Sequence, residues 1–254
     1  MTIIIPMAGK GERFTKKGYT TPKPLINVGG LPMVIKAVKD LPLASRHIFI
    51  VLKDHLEIQH IDKEINSNLP EAEFIVIDNV TEGQASTCLL AMPAVASDEE
   101  ILIGACDNGM IFNPEKFAAQ KEVADVIVFT FRNNVTVVEK PQQYGWVNVD
   151  GDDTATYVSV KKAISANPLR DHAVIGAFWF KEASIFKKAA DKMIAENRRI
   201  NNEFYVDECI NDAIELGFTV KVFEVDKYIC WGTPDDYETY NYWKQYFSDK
   251  KSFS

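Results

Sequence analysis

Apolar residues along this 254-residue chain fall into two alternating rhythms. Short β-branched runs at 3–5, 47–52, 73–77, 101–104 and 126–131 are apolar almost throughout, as parallel strands covered on both faces must be. Between them, segments at 31–40, 54–66, 84–92 and 114–122 carry helical periodicity. This alternation predicts βαβ units and an α/β fold with a doubly wound, mostly parallel mixed sheet. Beyond residue 140 the rhythm changes. The runs 144–149 and 157–161, separated by Asp150-Gly151-Asp152-Asp153, predict a hairpin. Further strands are expected at 174–180 and 219–225, with helices near 181–197 and 206–216. Thr233-Pro234-Asp235-Asp236 has the hydroxyl cap, N1 proline and early acids of a helix start. Tyr237, Tyr240, Trp243 and Phe247 then recur at helical spacing, which predicts a face packed on the body. The expectation is one domain over 1–254, whose second half, from about 141, adds a smaller antiparallel extension.

Composition narrows the class. Hydrophobic residues make up 46 % and charged residues 25 %, the balance of a globular protein rather than a disordered or collagenous one. A net charge of −8 excludes a nucleic-acid-binding surface, which needs excess Lys and Arg. No apolar stretch approaches the roughly 18 residues that span a bilayer, so no membrane partner is expected. Cys88, Cys106, Cys209 and Cys230 lie far apart, which fits reduced thiols. With no export signal at Met1-Thr2-Ile3, a cytoplasmic location is expected. One local exception matters. Between Lys10 and Lys39, seven positive residues face one negative, Glu12, a basic island suited to an anionic ligand.

The first strand runs into Met7-Ala8-Gly9-Lys10-Gly11-Glu12-Arg13-Phe14. Glycines let backbone N–H groups approach phosphate oxygens. The dinucleotide fingerprint would need a third glycine where Phe14 stands, and the Walker A pattern needs a Gly-Lys-Ser/Thr that is absent. Instead, Gly9-x-Gly11-x-Arg13-Phe14, Pro22-Lys23-Pro24-Leu25 and Val28-x-Gly30-x-Pro32-Met33 resemble the nucleotidyltransferase family that activates sugar phosphates with nucleoside triphosphates. The resemblance implies a nucleotide-binding first half and an acceptor-binding second half. It places the backbone of Ala8, Gly9 and Gly11 against the nucleotide. It makes Arg13 and Lys23 catalytic, Arg13 clamping the leaving phosphates and Lys23 lying on the α-phosphate. Thr81-Glu82-Gly83-Gln84-Ala85-Ser86 matches the turn over the base, where the Gln84 amide suits a pyrimidine edge. Asp107, after the 101–104 strand, is positioned to hold Mg²⁺.

Two departures bear on specificity. Where the family has a second metal-binding Asp, Tyr228-Ile229-Cys230-Trp231-Gly232-Thr233-Pro234 carries Cys230. Either the triphosphate and water complete the shell of Asp107, or Asp235 or Asp236 substitutes. Val138-Glu139-Lys140-Pro141 looks like the acceptor motif but precedes Tyr144-Gly145-Trp146-Val147. The family order therefore points to Val160-Lys161-Lys162-Ala163. Lys162 matches the lysine that grips the acceptor phosphate, and Lys161 replaces an acid that binds sugar hydroxyls, so an acceptor with a second anionic group is implied. Glu203 and Tyr205, in a stretch similar to N-E-x-Y of short bacterial transferases, join Gly145 as acceptor-binding candidates. The likeness is strongest to capsule-pathway cytidylyltransferases, including those acting on phosphoglutamine, which implies CTP as donor. UTP- or dTTP-dependent transfer to a sugar 1-phosphate, a silent nucleotide-sensing subunit and a homo-oligomer all stay open.

Overall fold

Within residues 1–251, which this computed structural model describes, nine strands build one mixed sheet and four shorter ones build two small ladders. In chain order the first half contains β1 (Thr2–Pro6), β2 (Asn27–Val28), β3 (Leu31–Pro32), β4 (Arg46–Leu52), β5 (Glu73–Ile77), β6 (Ile101–Ile103) and β7 (Asn108–Ile111). The second half adds β8 (Val126–Phe131), β9 (Gly145–Val149), β10 (Ala155–Val160), β11 (His172–Phe180), β12 (Val220–Glu224) and β13 (Lys227–Cys230). Strands β5, β4, β1 and β6 lie parallel in that order, with Ile4 of β1 between Ile48 and Ile103. β11 joins β6 antiparallel and pairs with β9, which leads to β10. It also pairs antiparallel with β8, which carries β12 in parallel. The predicted fold class and the antiparallel extension are both present.

Period-two alternation divides the core between the sheet's faces. Ile4, Ile48, Ile50 and Ile103 face one cluster, closed by the helices Gln84–Leu89, Ala183–Ala195 and Val206–Glu215. Ile3, Ile5, Phe49, Val51 and Leu102 face the other, closed by Met33–Lys39, Ile61–Asn66 and Pro114–Lys121. Each wholly buried side chain such as Phe49 or Phe129 contributes about 1.5–3 kcal/mol by leaving water. None of the described helices is long and apolar enough to cross a membrane.

Several expectations need correction. The helix expected at 31–40 begins at Met33, because Leu31–Pro32 pairs with Asn27–Val28 across Gly29 and Gly30, both at positive φ. The helix at 54–66 is two, Lys53–Glu57 and Ile61–Asn66, parted by His60 at φ 51. β7 follows Asp107 directly and pairs with β13, more than a hundred residues away. The helix Pro234–Lys251 buries its aromatic stripe through its start. Tyr237 and Tyr240 lie on a cluster of Phe14, Ile26, Val28 and Trp231, whereas Trp243 and Phe247 are 50 % and 58 % exposed. Eighteen helical residues reach about 27 Å.

Candidate active site

From β1 the chain moves outward to β4 and β5, then returns to β6 on the other side of β1. Such a reversal opens a crevice at the carboxyl ends of the strands, where open α/β sheets take ligands. The glycine loop leaves β1 there, and the turn bearing Asp107 leaves β6. A cavity of about 780 Å³ occupies the position. It is lined by Ala8, Gly9, Gly11, Arg13 and Lys23, by Gly83 and Gln84 opposite them in sequence, and by Asp107 and Glu203. Nine of the residues singled out in the sequence thus come together.

Gly11 starts the short helix Glu12–Lys16 at φ 64, and a Cβ on it would lie 3.1 Å from Lys23 Cβ. The glycine therefore serves both the loop's left-handed turn and the close approach of the lysine. Lys23 sits in a tight turn between Pro22 and Pro24. Its Nζ donates to Asp107 Oδ2 at 2.5 Å and lies 5.7 Å from the Phe14 ring centroid. Burial opposes the ammonium's charge, but the Asp107 carboxylate outweighs it and holds the Lys23 pKa above its ordinary value. Lys10, Arg13 and Lys16 of the basic island line the same cavity. Among the described residues Lys10 and Arg13 have no ion-pair partner, whereas Lys16 meets Glu12 at 2.9 Å and Lys36 is paired with Asp40.

The turn at Gly83 is tied to the loop around Phe204. Phe204 N–H donates to Glu82 O at 2.8 Å and Ala85 N–H to Phe204 O at 2.9 Å. Arg199 meets Glu82 at 2.8 Å and stacks 4.1 Å from the Phe204 centroid. The hydroxyls of Thr81 and Thr87 both donate to Gly83 O. The Gln84 amide makes no hydrogen bond within the described residues, so its donor and acceptor remain for a ligand.

Beyond Arg13 lie the residues expected for an acceptor. Lys161 adopts φ 61, and its Nζ donates to Gln143 O at 2.6 Å, 5.4 Å from the Tyr205 centroid. It is turned inward, and burial lowers its pKa against the opposing pull of Asp207. Burial, then the neighbouring Glu203 carboxylate, pushes the Tyr205 phenol up to about 12, so it remains a donor at neutral pH. Gly145 abuts Asp207, since a Cβ there would collide with Oδ2. Lys162 is exposed, and only its backbone carbonyl is engaged, by the Ser159 hydroxyl at 2.6 Å. Trp146 and His172 are buried, His172 against the Thr130 hydroxyl at 2.9 Å, and neither lines the cavity.

The donors available to a metal are few. Asp235 is exposed outside this cavity and pairs with Lys17 at 3.4 Å. Asp236 accepts from the Thr233 hydroxyl at 2.6 Å. Cys230 and Asp107 converge on Gly232, whose Cβ would lie 3.5 Å from Cys230 Sγ and 3.1 Å from Asp107 Oδ2. Burial pushes the Cys230 thiol up to about 12, so it offers a neutral sulfur that a hard cation does not choose. No group of three or more His, Cys, Asp or Glu gathers to hold a metal among the described residues. Of the carboxylates lining the cavity, Glu12, Asp107 and Glu203, Asp107 is the one beside Lys23. That suits Mg²⁺ held by one carboxylate, phosphate oxygens and water.

Two residues of consequence escaped sequence reasoning. Asp207 carries no motif of its own in the sequence, and only the fold sets it against Gly145. Arg199 joins the turn at Gly83 to the Phe204 loop through a contact 117 residues apart.

The fold is that of the nucleotidyltransferases. Residues 3–136, more than half the chain, match the family model of the MobA-like NTP transferase domain, and the chain belongs to that family. Bifunctional protein GlmU of Campylobacter curvus (strain 525.92) is 24 % identical over 237 residues, 93 % of this chain but 51 % of that protein. The chain thus spans about half the length of the curated relatives it matches. In fold it is similar to a nucleoside-diphosphate-sugar pyrophosphorylase from Vibrio cholerae RC9, with TM-score 0.77 and 20 % identity over 94 % of this chain and 98 % of that one. An inositol-1-phosphate CTP transferase from T. maritima superposes with TM-score 0.71 at 16 % identity, covering 94 % and 93 % of the two chains.

Proposed function

We propose that this protein transfers a cytidylyl group from CTP to a small phosphorylated acceptor, with phosphoglutamine the acceptor favoured, and releases pyrophosphate. The observation that carries the reading is Lys23, paired with Asp107 in the crevice beside Lys10 and Arg13, cations without an ion-pair partner among the described residues. A phosphomonoester is largely dianionic at neutral pH, because its second pKa is near 6. It attacks the α-phosphorus without a general base once charge repulsion is offset, so alignment and cation placement suffice. An acceptor oxygen forms the new P–O bond as the bond to the β-phosphate bridge breaks, and pyrophosphate carries away the electron pair.

In this reading the backbone of Ala8, Gly9 and Gly11 holds the triphosphate, and Gln84 meets the base edge. Lys23 neutralises charge gathering on the α-phosphate, and Arg13 the departing phosphates. Lys161 and Lys162 serve the acceptor, Lys161 with its ammonium fixed on Gln143 O and Lys162 from an exposed position. Mg²⁺ supplies further charge neutralisation on the phosphates when bound at Asp107. The unengaged Gln84 amide supports a pyrimidine, and the existence of a CTP transferase on the same fold supports cytosine. The lysine at 161 supports an acceptor with an added anionic group, and phosphoglutamine carries a carboxylate.

A pyrophosphate-release assay pairing CTP, UTP, dTTP, ATP and GTP with a panel of phosphorylated acceptors tests the proposal. Release with CTP and phosphoglutamine is expected. Release confined to UTP or dTTP with sugar 1-phosphates overturns the base and acceptor choice, and silence with every pair overturns transfer. Two variants refine it. Lys161→Ala should raise the acceptor KM about tenfold and leave the CTP KM unchanged, the loss of one charge-assisted contact. Asp107→Asn should lower kcat by about a hundredfold and weaken the Mg²⁺ dependence of nucleotide binding, measured by titration calorimetry with and without metal.

A further inference from the structure

A second cavity, of about 460 Å³, also meets the glycine loop. It shares Gly9, Lys10, Gly11 and Lys23 with the nucleotide cavity, but its other walls are the stretch 15–24 and the helix Lys53–Glu57, with Gln59 just beyond. His55, on that helix, is only 6 % exposed. Its Nδ1 accepts from Leu52 N–H at 3.4 Å, and burial lowers its pKa, so the ring is neutral and its proton sits on Nε2. That N–H has no partner among the described residues. A buried donor left so is costly unless something entering the cavity accepts from it. Gln59, on the same wall, makes no side-chain hydrogen bond either, and its Oε1 is buried without a partner. The hydroxyls of Thr15, Thr20 and Thr21 are likewise unengaged. Among the described residues, two lysines and no carboxylate line the cavity.

We infer that this cavity is a second anion site, taking inorganic pyrophosphate or phosphate, and that its occupation weakens nucleotide binding in the neighbouring cavity. A phosphate oxyanion matches the walls. Its oxygens accept from His55 Nε2–H, the threonine hydroxyls and Lys10, and near neutrality either ion keeps a proton to donate to the Gln59 amide. The sign of the coupling follows from Lys10, which lines both cavities and has no ion-pair partner among the described residues to hold it. Drawn to one anion, it is withdrawn from the other, and each ligand lowers the affinity for its neighbour by the same factor. The inference goes beyond the proposed transfer and does not need it, since binding is read without turnover.

Titrating α,β-methylene CTP, whose bridge resists transfer, into the protein at rising pyrophosphate reads the site. The analogue's Kd should rise about five- to tenfold and then level off, because two separate sites couple by a finite amount. A rise that continues in proportion to pyrophosphate means that both ligands share the nucleotide cavity, and no rise means that the coupled site is absent. Either overturns the inference. His55→Asn keeps an acceptor for Leu52 N–H but removes the outer N–H. It should leave the analogue's Kd unchanged without pyrophosphate and raise the pyrophosphate concentration of half-effect about tenfold. Gln59→Leu should raise it severalfold, and decides alone if His55→Asn melts far below the parent. An unchanged half-effect in the folded variants overturns the site. Phosphate in place of pyrophosphate separates the sources: tighter pyrophosphate marks a released product as the ligand, tighter phosphate the free ion. If the analogue does not bind, the CTP reading has failed. Direct calorimetry of pyrophosphate then still decides, about tenfold weaker binding to His55→Asn supporting the site and equal binding overturning it.

Discussion

Lys23→Ala is expected to lower kcat for pyrophosphate release by about 10²–10³-fold, the cost of removing one preorganised charge from a phosphoryl-transfer site. The folded state should barely notice. Asp107 retains 27 % side-chain exposure, so water replaces the lost ammonium. Thermal melting within a few degrees of the parent, together with CTP binding reduced far less than kcat, separates a transition-state role from a structural one. Lys23→Arg should not restore the rate. The segment passes 3.1 Å from where a Cβ on Gly11 would stand, and a planar guanidinium does not reproduce the compact charge. Activity within threefold of the parent in Lys23→Ala would remove the basis of the mechanism.

Gly83→Ala should be the most damaging single methyl group in the protein. The position has φ 138, which side chains rarely adopt, and its Cβ would lie 2.5 Å from Phe204 O. Backbone strain and overpacking together suggest a loss of about 2–5 kcal/mol. The ladder from Glu82 and Ala85 to Phe204 must open to admit the methyl, so the CTP KM should rise more than tenfold in whatever fraction folds. Gly9→Ala is the matched control. A Cβ at Gly9 meets nothing within 4 Å and needs no positive φ. It should melt with the parent while binding CTP more weakly, because the methyl enters the cavity. Equal melting temperatures for the two variants would show that the Gly83 contact does not hold the turn.

The sheet was legible because strands buried on both faces, such as Thr2–Pro6 and Val126–Phe131, are apolar almost throughout. The glycine loop was legible because its chemistry is local. Gly9, Gly11, Arg13 and Lys23 fall within fifteen residues and reach one cavity. Illegible features depend on distant partners. Asn108–Ile111 has no strand pattern of its own and is made one by Lys227–Cys230. The exposure of Trp243 and Phe247 depends on how far the body extends beneath a helix, which periodicity does not report. Family order gives the two adjacent lysines separate roles at the acceptor, and only the fold shows Lys161, at φ 61, with its ammonium on Gln143 O while Lys162 is exposed.

The clasp formed by the final helix has a consequence for how the nucleotide loop comes into being. Phe14, Tyr19 and Tyr237 meet edge to face with centroids 5.1–6.4 Å apart, and the Tyr237 hydroxyl donates to Asn27 O at 2.8 Å. A fragment ending at residue 136 would contain Gly9, Arg13, Lys23 and Asp107, yet the apolar underside of the loop would face water. During synthesis the opening loop must therefore wait, unset, until the helix Pro234–Lys251 has emerged. Competence for triphosphate then arrives in one step with that helix rather than accumulating with the growing sheet.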